Sequence, residues 1–130
     1  MLILDTHAFL FDALSPERLS AAALQAIEEG EGGGQLAVSD ITLWEVSMLV
    51  HKRRIDLGEQ TARFLKAALV ARSIRVLPIT PEIAEQSQSP EWTLGDPVDK
   101  IIAATAVRHR AKLVTCDERL RAIVGLNTLW

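Results

Sequence analysis

Across 130 residues the chain has a single cysteine, Cys116. An internal disulfide is excluded, and the expectation is a reducing compartment, the cytoplasm, with Cys116 as a small core side chain. No apolar run approaches the roughly 18 residues of a membrane span. The opening, MLILDTHAF, lacks a basic stretch and meets a charge at Asp5, so it does not read as a secretory leader. The three histidines are scattered and offer no ligand-spaced pair for zinc. No GxxxxGK loop cradles a phosphate, because EGEGGG (29–34) follows a helical pattern rather than a strand. No GxSxG elbow presents a serine nucleophile. A phosphoaspartyl enzyme of the haloacid-dehalogenase kind needs a second aspartate two residues after Asp5, where His7 stands. His7 is expected to pack or polarise the start of the first helix, and Trp44, Trp92 and Trp130 to pack rather than stack on bases.

The remainder is 48% hydrophobic and 24% charged, an ordinary globular balance. A chain this long suits one domain, 1–130, able to bury roughly two-thirds of its unfolded surface. Short apolar runs alternate with amphipathic stretches. LIL (2–4), LAV (36–38), IRVL (74–77) and KLVT (112–115) read as buried strands, and LNTLW (126–130) as a possible last one. Between them, helices are expected over HAFLFDAL, AAALQAIEE with Ser20 as cap and Gly30 just past its end, and DITLWEVSMLVHKRR behind Ser39. Further helices are expected over EQTARFLKAALVAR, PEIAEQSQ opened by Thr80-Pro81-Glu82, PVDKIIAATAVRHR, and ERLRAIVG. EGEGGGQ (29–35) reads as a flexible loop. Strands separated by helices require crossovers, hence an α/β class: three layers around a central parallel sheet.

Ligands bind such sheets outside the carboxyl ends of the strands. Asp5 follows the first strand and Asp117 lies just past the fourth, so both belong to that rim. Glu45, two turns into the helix after the second strand, borders its apolar face and leans toward the same place. Asp96 and Asp99 reach it only if the chain descends through PEIAEQSQ and climbs back through SPEWTLG. Each acid also has an ordinary reading: Asp96 before Pro97 is a cap, Asp99 suits the first turn, and Asp5 and Asp117 suit a turn and a cap. Their convergence would be costly, since two carboxylates about 4 Å apart repel by roughly 4 kcal/mol at an effective dielectric near 20. A hard divalent ion such as Mg²⁺ or Mn²⁺ removes that cost.

Net charge is −3. Setting aside Asp5, Glu45, Asp96, Asp99 and Asp117 leaves 12 acids against 14 Lys and Arg. Basic residues bunch at HKRR (51–54), at RHRAK (108–112) and at Arg119 and Arg121. A basic surround would suit a polyanion, although basic runs at helix ends also complement the macrodipole.

LILDTHAFLF, VSDITLWEVSMLVHKRRIDL, GDPVDKIIAATA and LVTCDERL together resemble the PIN-domain ribonucleases, most of all the VapC-type toxins of bacterial toxin–antitoxin pairs. The resemblance covers residues 2 to about 121. It implies an α/β/α sandwich and Mg²⁺- or Mn²⁺-dependent endonuclease action on RNA. It also implies a small antitoxin partner and a homodimer. Residue by residue it implies Asp5, Glu45, Asp99 and Asp117 as the catalytic and metal-holding acids, with Asp96 as an additional aspartate and Thr6 and Thr115 as their polar supports. Lys100 stands where arginine is common, and His7 where asparagine or serine is frequent. The expected reaction is attack of a metal-activated water on a phosphodiester, leaving a 5′-phosphate and a 3′-hydroxyl. The alternatives are a nuclease or phosphoesterase acting on another substrate without an antitoxin, and a binding module with an idle site.

Overall fold

Strand residues here alternate between two buried faces. Leu2 and Leu4 point one way and Ile3 the other, and Leu36, Ala37 and Val38 repeat the pattern. Both faces must therefore be covered. A computed structural model describes all residues, 1–130. Its strands are β1 (Leu2–Leu4), β2 (Leu36–Ser39), β3 (Arg75–Leu77), β4 (Lys112–Val114) and β5 (Thr128–Leu129). Every pairing is parallel, in the order β3-β2-β1-β4-β5, so β1 is the central strand.

The helices are α1 (Thr6–Leu14), α2 (Ala21–Gly32), α3 (Asp40–His51), α4 (Thr61–Ala71), α5 (Pro81–Gln86), α6 (Pro97–Arg108) and α7 (Glu118–Arg121). One core packs Leu2, Leu4, Leu36 and Val38 against Phe9, Ile27, Val46 and Phe64 of α1 to α4. The other packs Ile3, Ala37 and Leu113 against Val98, Ile102 and Ala106 of α6 and Leu120 of α7. Burying each large aliphatic side chain contributes about 1.5–3 kcal/mol. The result is the three-layer α/β/α sandwich expected from the alternation of strand and helix.

Several boundaries differ from the sequence expectation. Helix α2, capped by Ser20 Oγ accepting from Ala23 N at 3.0 Å, runs through Gly30 to Gly32. A Cβ at position 30 would stand 2.7 Å from Leu36 Cδ2, so glycine there lets α2 lie close to β2. The turn comes at Gly34, whose φ of 63° a side chain would strain. Helix α3 ends at His51, and Arg53 takes a left-handed φ of 56°, so Lys52 to Arg54 leave the helix. Trp44 is 57% exposed, because the buried face of α3 is carried by Thr42, Glu45, Val46 and Leu49. Trp92 and Trp130 do pack, one against each core. Cys116 is exposed and is no core residue. The chain is already turning out of the sheet there: Thr115 just before it is buried, and the next buried side chain is Leu120 of α7.

Candidate metal centre

The central strand ends directly in an acid. Asp5 Oδ1 accepts from Ala8 N at 2.7 Å and caps α1, while its own N–H donates to the Val114 carbonyl at 3.1 Å. The carboxylate is thereby held at the junction of β1 and β4, and only 6% of the residue is exposed. Asp117 caps α7 through Oδ1, which accepts from Arg119 N at 2.8 Å, and its N–H donates to the Thr115 hydroxyl at 3.1 Å. Asp96 caps α6, its Oδ1 accepting from Val98 N at 2.8 Å and from Asp99 N at 3.4 Å.

Capping accounts for one oxygen of each of these three aspartates. No hydrogen bond engages Oδ2 of Asp96 or Asp117. Asp99, one turn into α6, accepts none and closes no capping box. Helix capping and ligand binding are therefore compatible in the same residues.

The α6 acids reach this rim because segment 87–95 returns the chain to the carboxyl ends of the strands after α5. Asp5, Glu45, Asp96, Asp99 and Asp117 then line one pocket of about 420 Å³, with His7, Phe11, Cys116 and Arg119. Phe11 and Cys116 were not expected here, and Arg119 only as part of a basic surround. Arg119 follows Asp117 closely in α7, and its Nε is 3.6 Å from Asp117 Oδ1. The RHRAK run lies elsewhere. Lys112 pairs with Leu2 at the opposite end of the sheet, so residues 108–112 close the far end of α6 rather than surround the acids.

Crowding leaves an electrostatic mark. Asp99 is pushed up to about 7, first by burial and then by the charges of Asp96, Asp117, Glu45 and Asp5. Asp5 is raised chiefly by burial, against which the Thr115 hydroxyl and the Ala8 N–H act. Burial also raises Glu45, opposed by the Thr6 hydroxyl. Thr6 in turn lies 3.3 Å from the Thr42 hydroxyl in the interior. Thr6 and Thr115 thus stand between acids and core.

The donor set is one of hard oxygens, which suits Mg²⁺ or Mn²⁺ and not zinc. No three His, Cys, Asp or Glu side chains are drawn together tightly enough to share one ion. They ring a space wide enough for an ion with part of its water shell, the way Mg²⁺ is usually held by one or two carboxylates. The residues present fit such an ion.

Fold and rim define the class: a PIN-like α/β/α sandwich with a carboxylate centre at the mouth of a parallel sheet. The PIN domain family model matches residues 2–126, and the chain belongs to that family. It is 38% identical over 121 residues to Ribonuclease VapC22 of Mycobacterium tuberculosis, covering 92% of this chain and 89% of the relative. Among solved structures it is similar to VapBC2 from Rickettsia felis bound to a DNA fragment from their promoter. There the TM-score is 0.75 and the identity 19%, over 98% of this chain and 96% of that one. It is also similar to a toxin–antitoxin complex from Klebsiella pneumoniae. The TM-score there is 0.68 and the identity 25%, over 100% of this chain and 97% of that one.

Proposed function

We propose that this chain is a Mg²⁺- or Mn²⁺-dependent endoribonuclease, the toxin of a toxin–antitoxin pair acting on cytoplasmic RNA. The observation that carries the reading is the gathering of Asp5, Glu45, Asp99 and Asp117 from four elements into one pocket, where their charges repel. The likeness to a protein named as a ribonuclease supports the substrate. Likeness to toxin–antitoxin complexes supports an antitoxin partner, and a homodimer is part of the same proposal.

Asp5 and Asp99 would hold the ion directly, with Asp117 and Glu45 completing its surroundings or orienting water. The bound ion supplies Lewis-acid polarisation of a phosphodiester and a water of lowered pKa. Asp99 must first release the proton that its neighbours favour near neutrality. Asp5 and Asp117 are kept in place by the α1 and α7 caps, so little reorganisation accompanies binding. Glu45 stands across the pocket, steadied by Thr6. Arg119 provides positive charge in the same pocket for a substrate phosphate. Water attacks, so the 2′-hydroxyl serves recognition rather than nucleophilic attack.

The test is purified protein with RNA, DNA and a small phosphoester, with and without Mn²⁺. RNA alone should be cut, and only with metal. Asp5→Asn keeps a capping side chain and should keep the fold while losing cleavage. A folded Asp5→Asn protein as active as the parent ends the assignment.

A further inference from the structure

A second pocket of about 420 Å³ adjoins the acids between α1 and α3, and it shares His7, Phe11, Glu45 and Asp96 with theirs. Its chemistry is different. Leu10, Met48, Leu49 and Ile55 give it an apolar wall, and Arg18 and Arg54 supply positive charge. The Arg18 guanidinium lies over the Phe11 ring, 4.2 Å from its centroid. Ion pairs in the chain belong to Arg72 and Arg119, leaving Arg18 and Arg54 without a carboxylate partner.

We propose that this pocket receives an unpaired base of the RNA next to the scissile phosphodiester, with the base stacking on the Phe11–Arg18 layer and a flanking phosphate meeting Arg54. The proposal rests on the ribonuclease reading and extends it to substrate choice. An acidic centre repels the backbone it must cut, and its one arginine, Arg119, already lies beside Asp117, so unpaired arginines in an adjoining pocket add the attraction that is lacking. Bases splayed from single-stranded RNA stack on aromatic rings and guanidinium planes, which is the surface offered here. A duplex keeps its bases stacked inside and cannot fill an apolar recess. Arg54 also gives a role to the HKRR run.

The experiment uses a short single-stranded oligoribonucleotide carrying 2-aminopurine, titrated in EDTA so that nothing is cleaved. Stacking should quench the fluorescence. Arg18→Ala and Phe11→Leu should each weaken binding about 10-fold, as loss of a stacking partner does. Arg54→Ala should weaken it and lower the salt slope by about one. Arg63→Ala on α4, outside both pockets, is the control for charge loss. An abasic nucleotide in place of 2-aminopurine should cost the parent about 10-fold in affinity, followed by an intrinsic label, and cost Arg18→Ala little more. Equal binding of abasic and base-containing strands overturns the proposal. So does unchanged quenching in Arg18→Ala together with weakened self-association in sedimentation, which assigns the pocket to a second copy. Arg18 is exposed, so that variant folds even if Phe11→Leu does not. Base-dependent binding without Mn²⁺-dependent cleavage keeps the pocket and ends the ribonuclease reading. Cleavage indifferent to the base ends the pocket alone.

Discussion

Replacing Asp99 by asparagine should make the metal-free protein more stable, although it removes a residue assigned to metal binding. In the folded chain Asp99 is raised from 3.8 to about 7. Each unit corresponds to 1.36 kcal/mol, so the shift amounts to about 4 kcal/mol; solvent reaching this half-buried group reduces that to roughly 2 kcal/mol. The sign follows from linkage. Below about pH 4 both folded and unfolded states keep the proton, and nothing is lost. Between about 4 and 7 the unfolded chain ionises while the folded one does not, so stability falls as pH rises, levelling off above about 7. The neutral amide of Asp99→Asn would carry no such penalty. In a domain of this size 1 kcal/mol moves Tm by roughly 4 °C, so in EDTA at pH 8 the variant should melt about 8 °C above the parent, with the gap closing toward pH 4. Adding Mn²⁺ at about 100 times its Kd should stabilise the parent by about 2.7 kcal/mol and the variant far less. Below pH 7 the parent's apparent affinity for metal should fall about tenfold per pH unit, since the ion displaces a proton. Thermal melts over pH in EDTA and in Mn²⁺ read both effects. A gap that is absent at pH 8, or independent of pH, refutes the crowding of the acids; equal stabilisation by Mn²⁺ refutes Asp99 as a ligand.

Arg72 grips buried Asp12 through Nη2 at 2.9 Å and Nε at 3.1 Å, and Glu31 through Nη1 at 2.7 Å. Arg72→Met should cost about 3 kcal/mol in urea unfolding by leaving Asp12 unpaired, and Asp12→Leu in the same chain should restore much of it. Ile102, 1% exposed under the sheet, should cost about 2–5 kcal/mol on truncation to alanine by the same assay. Cys116 is exposed, yet partial desolvation and then the Asp5 charge push its thiol up, so iodoacetamide at pH 7 should modify it more slowly than a free thiol. Modification should be faster in Asp5→Asn, and an unchanged rate there would remove Asp5 as a contributor to the shift.

Local chemistry was enough to place the elements. LIL and LAV are short unbroken apolar runs, the mark of strands buried on both faces, and Ser20, Thr80 and Asp96 open helices by accepting from free N–H groups within three residues. These are interactions between near neighbours, and they survive in any fold that contains the segment. Asp5 and Asp117 were legible as rim residues for the same reason, Asp5 directly following a strand and Asp117 lying just past one. Where Asp96 and Asp99 go depends on segment 87–95, whose course is set by packing of α5 against α6 and of Leu94 in the core beneath the sheet. The outward turn of Cys116, the exposure of Trp44 and the removal of RHRAK to the far rim are likewise decided by which helix face meets which side of the sheet. The pocket between α1 and α3 exists only once both helices are laid side by side. Capping and periodicity are short-range properties written into the chain, whereas the repulsion among the acids arises only when residues some ninety positions apart are brought to one mouth.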